Sequence, residues 1–359
     1  MEKAKRVSRI LLAAGACLLS VSAARADSLD EQRSRYTQIK QAWDKRQMDV
    51  VQQMLPGLKD YPLYPYLEYR QITDDLQNLP AVTVSNFIRA NPTLPPARTL
   101  QSRFVNELAR REDWRGLLAF SPDKPATTEA QCNYYYAKWN TGQTQDAWDG
   151  AKTLWLTGKS QPNACDKLFG AWRASGQQDP LAYLERIRLA MQAGNTGLVK
   201  VLAGQMPADY QTISSAIISL ADKPGSVLDF ARATGATDFT RQMAAEAFTS
   251  VARQDVDNAR LMIPTLAQAQ QLNEAQTQGL RDTVAWRLMG NDTTTEQARW
   301  RDDAIMRTGS VSLLERRVRM ALANGDRRGL NTWLSRLPME AKEKDEWRYW
   351  QADLLMERG

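Results

Sequence analysis

The chain has 359 residues, 43% hydrophobic and 25% charged, and contains no histidine. That composition excludes Ser-His-Asp and Cys-His nucleophilic sites, histidine-ligated metals and imidazole acid–base chemistry. Neither a GxGxxG nor a GxxxxGK[ST] run occurs, so no phosphate loop is encoded and any catalysis would rest on carboxylates.

The N-terminus carries Lys3, Lys5, Arg6 and Arg9, then an apolar run from Ile10 to Val21, then Ala24-Arg25-Ala26 before Asp27. This is the layout of a secretory signal peptide over residues 1–26, cut after Ala26. The apolar run is far shorter than the roughly 20 residues that span a bilayer. Ala14-Gly15-Ala16 ahead of Cys17 is a poor lipoprotein signal. The leader holds five basic residues and one acidic, so the formal charge of +6 falls to +2 on its removal. A nucleic-acid or anionic-membrane partner is not implied by so small a charge.

From residue 27 onward the pattern predicts an all-α fold, an irregular tetratricopeptide-like helical-hairpin superhelix over 27–359. A short signature recurs, with Gly or Arg beside a polar residue and a small residue about four positions on. It occurs at Arg46-Gln47-Met48-Asp49-Val50, Arg111 to Leu117, Gly142 to Trp148, Gly194 to Leu198, Arg253 to Ala259, Gly290 to Ala298 and Gly325 to Leu330. One helix would end at the Gly or polar residue, the neighbouring Asp, Asn or Thr would cap the next, and the small residue would let the pair approach closely. The later copies lie 37 and 35 residues apart, with 34 more to Gly359, whereas earlier spacings run from 31 to 65. Pro56, Pro207 and Pro338 read as helix exits, and Asn91 to Pro96 as a break.

Several segments stand out. The tyrosine-rich stretch Asp60 to Arg70 could stack on sugar rings, but its helical spacing favours packing of Tyr66 and Tyr69 against an adjacent helix. Cys132 and Cys165 are the two cysteines outside the leader, read as a structural disulfide in an oxidising compartment, the alternative being two buried thiols. Glu315-Arg316-Arg317-Val318-Arg319 reads as a solvated helix face balanced by Glu340, Glu343, Asp345 and Glu346. Asp74-Asp75 and Asp302-Asp303 lack a local apolar pocket and are assigned no acid–base role.

Tyr61-Pro62-Leu63-Tyr64-Pro65-Tyr66-Leu67-Glu68-Tyr69, Leu94-Pro95-Pro96-Ala97-Arg98, Cys132-Asn133-Tyr134-Tyr135-Tyr136-Ala137 and Pro162-Asn163-Ala164-Cys165-Asp166 occur in that order. Together they resemble the N-terminal superhelical region of the soluble lytic murein transglycosylases of Gram-negative enteric bacteria. The resemblance implies a periplasmic enzyme family that cleaves between N-acetylmuramic acid and N-acetylglucosamine, leaving 1,6-anhydromuropeptides. It also implies a U-shaped helical region joined to a linker domain and a lysozyme-like catalytic domain with one acid–base glutamate.

The family's Glu-Ser, Gly-Leu-Met-Gln and Ala-Tyr-Asn-Ala-Gly motifs do not occur here, and no Glu is followed by Ser. No catalytic residue, cofactor ligand or metal ligand is therefore assigned. The linker and catalytic domains are expected to be absent, and the chain is expected to be inactive alone. Peptidoglycan is the implied partner, through the family's catalytic domain; the alternative is a free-standing periplasmic module that binds peptidoglycan or another cell-wall enzyme. The superhelix is expected to be incomplete at its C-terminal end, where Trp347, Trp350, Leu354 and Leu355 would lack a partner helix and fray.

Overall fold

The computed structural model describes residues 29–290 and 292–357. The leader and its cleavage after Ala26 lie outside the described residues, as does Asn291 of the Gly290 signature. Every regular element among the described residues is helical, which meets the all-α expectation.

Contacts divide the chain into two units, one of residues up to Trp148 with Pro162–Leu168, the other of Asp149–Gln161 and Phe169 onward. The first unit holds α1 (29–44), α2 (Met48–Met54), α3 (Tyr64–Asp74), α4 (Ala81–Ala90), α5 (Pro95–Arg110), α6 (Trp114–Phe120) and α7 (Thr128–Asn140). The next two helices, α8 (Thr144–Trp155) and α9 (Ala164–Ala174), contribute residues to both units. The second unit continues with α10 (Pro180–Gln192), α11 (Thr196–Gly204), α12 (Gln211–Asp222), α13 (Val227–Ala233), α14 (Asp238–Gln254) and α15 (Val256–Ala269). It ends with α16 (Glu274–Arg287), α17 (Thr295–Ile305), α18 (Val311–Ala323), α19 (Arg327–Arg336), the one-turn α20 (Met339–Lys342) and α21 (Asp345–Met356).

Helix-to-helix turns follow one chemistry. At Gly142, Gly194 and Gly325 the backbone enters the left-handed region, with φ of 87°, 72° and 65°. The next amide then reaches back to a carbonyl five residues earlier, as Gln143 N–H does to Lys138 O at 2.8 Å and Asp326 N–H to Ala321 O at 2.9 Å. These bonds satisfy carbonyls that a helix end leaves orphaned. A side chain then caps the following helix, Asp113 accepting from Gly116 N–H at 3.0 Å and Asp326 from Gly329 N–H at 2.8 Å.

Arg46 and Glu112 make the same turn without glycine. Gln271, which the signature misses, does the same, with Leu272 N–H reaching Ala267 O at 2.9 Å, and the glycine at Gly176, also missed, is left-handed with φ of 73°. The Gly290 copy is displaced: α17 is capped by Thr294, whose hydroxyl and Gln297 form a reciprocal box.

The small residue has two origins. Ala147 and Ala259 are fully buried where helices meet, as expected. At Gly116 and Gly329 a Cβ would instead strike the carboxylate of the capping Asp113 or Asp326, so the cap geometry selects glycine there. Pro56, Pro207 and Pro338 do mark helix exits, each opening or preceding a short 3-10 or one-turn helix.

The expectation that the last helix lacks partners and frays is corrected. Trp347 is fully buried and Leu354 is 8% exposed in a cluster with Val318, Leu330, Trp333 and Leu337. The Trp347 indole N–H donates to Glu315 Oε1 at 2.9 Å. The helix thus finds its partners N-terminally, on α18, α19 and α20, and only the opposite face with Tyr349, Leu355 and Met356 is exposed. Replacing Trp347 by Ala should cost about 3–5 kcal/mol of unfolding free energy, whereas Leu355→Ala should stay within about 0.5 kcal/mol. Urea unfolding checks this; a loss below about 1 kcal/mol for Trp347→Ala would restore the picture of a frayed end.

Candidate functional site

The predicted cysteine pair is joined. Cys132 on α7 and Cys165 on α9 are fully buried, with Cα atoms 4.9 Å apart and a 33-residue separation. Closing a loop of that length removes unfolded-state entropy equivalent to about 3.5–4 kcal/mol. With no solvent exposure and no neighbouring CxxC thiol, the bridge is a brace.

The tyrosine stretch divides. Tyr61 is buried against Tyr36, with ring centroids 5.3 Å apart, and Tyr69 lies 6.5 Å from Phe87 and accepts from Arg103 at 3.1 Å. Tyr66, expected to pack, is 39% exposed. It makes no tyrosine ladder for a sugar, because its neighbours turn inward.

The charge run on α18 is also corrected. Arg319 does pair with Glu346 at 2.8 Å on the surface, but Glu315 and Arg317 are buried. Arg317 chelates Asp302 at 2.8 and 3.1 Å with its guanidinium 4.9 Å from the Trp333 ring. Glu315 accepts from Lys344 at 2.6 Å as well as from Trp347. A charged run can therefore sit partly inside a helical repeat when its buried members meet counter-charges on neighbouring helices.

Burial opposes ionisation of Asp302, yet the Arg317 and Arg301 guanidinium groups hold its carboxyl below the ordinary 3.8. A carboxyl lowered in the folded state contributes stability that is present above its unfolded value and is lost as pH falls through its folded one. Acid titration of the denaturant midpoint should fall off more steeply below about pH 4 for the wild type than for Asp302→Asn. Identical titrations for the two would remove the pair from the account of acid stability.

Carboxyls suited to general-acid work would be raised. Glu246 on α14 is raised by burial, and Arg188, 3.8 Å away, opposes the shift. Glu68 is raised by burial alone. Acid–base work also needs a cleft that admits substrate.

A groove lies over α14, α15 and α16, with a volume of about 370 Å³. Gln270 builds its base: fully buried, it donates to Ala231 O at 3.0 Å and accepts from Thr240 at 2.9 Å. Arg241 donates to the Gln270 carbonyl at 2.9 Å and pairs with Asp238. A second groove of about 310 Å³ adjoins it over α16 and α18, and Thr249 and Thr283 line both. A third, apolar groove of about 290 Å³ lies between α10 and the end of α11, around Tyr183, Met206 and Tyr210. Neither Glu68 nor Glu246 lines any of these grooves. Their walls can bind but present no raised carboxyl. The sequence reading did not single out Thr249, Thr283 or Trp286, because which face of a helix stays open is decided by its neighbours.

No family model matches the chain. It is 85% identical over 360 residues to the soluble lytic murein transglycosylase of Escherichia coli K12, a match that spans all of this chain and 56% of the relative. The crystal structure of the 70-kDa soluble lytic transglycosylase of Escherichia coli matches with a TM-score of 0.87 and 86% identity, over 92% of this chain and 54% of that one. An inactive mutant of the lytic transglycosylase Slt of Pseudomonas aeruginosa matches with a TM-score of 0.73 and 27% identity, over 90% of this chain and 52% of that one. The chain spans about half the length of the curated relatives it matches.

Proposed function

The chain belongs to the soluble lytic murein transglycosylases as a partial, N-terminal region of one, and from that premise we propose that it is a non-catalytic helical scaffold. In this reading it shapes access to peptidoglycan or holds the domain that cleaves it, and the acid–base glutamate of the family lies outside residues 1–359. The whole protein would act in the periplasm on the N-acetylmuramic acid to N-acetylglucosamine bond. The observation that carries the reading is the match itself, which takes in all of this chain and 56% of the relative. The absence of a Glu-Ser pair and the separation of Glu68 and Glu246 from the grooves agree with it. The reading of residues 1–26 as a secretory leader accords with the proposed periplasmic site of action; no described helix is long and apolar enough to cross a membrane.

Digestion of purified peptidoglycan sacculi by residues 27–359, shown to be folded by circular dichroism, tests it. Mass spectrometry of the soluble fraction should find no 1,6-anhydromuropeptides above the buffer control. Their release would place a working carboxylate within this chain and overturn the scaffold reading.

A further inference from the structure

We propose that the two adjoining grooves, running from α14 across α16 to α18, form an accessory binding site for an acidic amino-sugar chain, the peptidoglycan glycan with the carboxylates of its stem peptides. The inference rests on the reading that the whole protein acts on peptidoglycan, and it adds a place on this chain where that polymer is held.

The grooves are continuous through Thr249 and Thr283, so an extended ligand can lie across three helices. Each volume falls in the range of about 300–1,000 Å³ that small-ligand sites occupy. Trp286, on the α16 wall of the second groove, is 37% exposed. The Arg316 guanidinium lies over one face of the ring, 4.2 Å from its centroid, so a sugar would meet the remaining exposed part of the indole. Exposed indoles of this kind offer an apolar face to the C–H side of a sugar ring.

Polar groups along the floor suit hydroxyls and acetamido groups. Thr249 and Thr283 each donate to a carbonyl of their own helix at 3.0 Å, so their remaining lone pairs accept. Gln242 in the first groove has no hydrogen-bond partner among the described residues, and its amide is open to donate and accept.

Charge then selects an acidic ligand. On α18, Arg317 and Arg319 are each neutralised by a carboxylate, whereas Arg316 has no ion pair among the described residues. Arg287, beside Trp286 and lining the same groove, has none either. Asp238 pairs with Arg241; Asp282 accepts from Gln278 and Thr308 and keeps its charge, so Arg287 and Arg316 together exceed it by one positive charge. Two guanidinium groups without an ion pair beside one partly exposed indole favour a stem-peptide carboxylate carried by the sugar next to the stacked ring.

Isothermal titration of the folded chain with chitotetraose and with a purified disaccharide-tetrapeptide muropeptide tests the site, alongside co-sedimentation with sacculi. The muropeptide should bind more tightly than chitotetraose. Trp286→Ala should weaken both by about tenfold or more, with Trp286→Phe intermediate. The double variant Arg287→Ala/Arg316→Ala should abolish the muropeptide's advantage and spare chitotetraose. Each variant should keep the wild-type thermal midpoint; where Trp286→Ala does not, Trp286→Phe and the arginine pair decide. Unchanged affinities in these variants, with the wild type still sedimenting with sacculi, overturn the groove and leave the peptidoglycan reading standing. A wild-type chain that binds neither oligosaccharide nor sacculi overturns the groove and counts against a peptidoglycan-holding scaffold as well.

Discussion

The constraint on which this structure depends is the tight turn that closes each helical hairpin. A short amphipathic helix is marginal in water and persists only when its apolar face meets a neighbour. The left-handed residue at positions such as Gly194 ends one helix, and the side chain of Asn195 caps the next by accepting from Leu198 N–H at 3.2 Å. Two helices are thereby set antiparallel with almost no intervening chain. Where Arg46, Glu112 or Gln271 takes the same conformation, packing imposes it on a residue that disfavours it by about 1–2 kcal/mol.

Polar contacts then fix how one hairpin meets the next. Glu315 gathers Lys344 and the Trp347 indole, Asp302 gathers Arg301 and Arg317, and Gln270 joins the carbonyl of Ala231 to the hydroxyl of Thr240. Buried pairs of this sort add little net stability compared with apolar replacements. Removing one partner is costly, because the other charge stays buried alone. Their consequence is register: a hairpin shifted by one residue would strand each of these groups without a partner.

The fold class was legible because it rests on local chemistry. Gly142, Gly194 and Gly325 announce their turns, Asp113 and Asp326 their caps, and Cys132 and Cys165 their bridge. The turn at Gly176 escaped because Pro180 stands at the small-residue offset, and that at Gln271 because it opens on neither Gly nor Arg; Pro264 sits inside α15 where a sequence rule would stop a helix. The site was far less legible. Glu315 and Arg317 look like surface residues until α17 and the helices after α19 bring Asp302, Lys344 and Trp347 to them. Trp347 looks unpartnered because its partners precede it in the chain. Trp286 is one of 11 tryptophans, and only the packing of α14, α16 and α18 leaves it beside an open groove.

A chain of stacked helical hairpins is held together through a series of local interfaces, so strain introduced at one turn should stay near that turn. Hydrogen exchange measured by mass spectrometry on Gly194→Ala tests this most directly, since a Cβ there meets no atom within 4 Å and the change acts through the backbone alone, at about 1–2 kcal/mol. Exchange should quicken in α10, α11 and the helices touching them, while peptides from α17 to α21 keep wild-type protection. Equal acceleration from α10 to α21 would mean that the second unit opens as a single cooperative body, contradicting the account of stability held turn by turn.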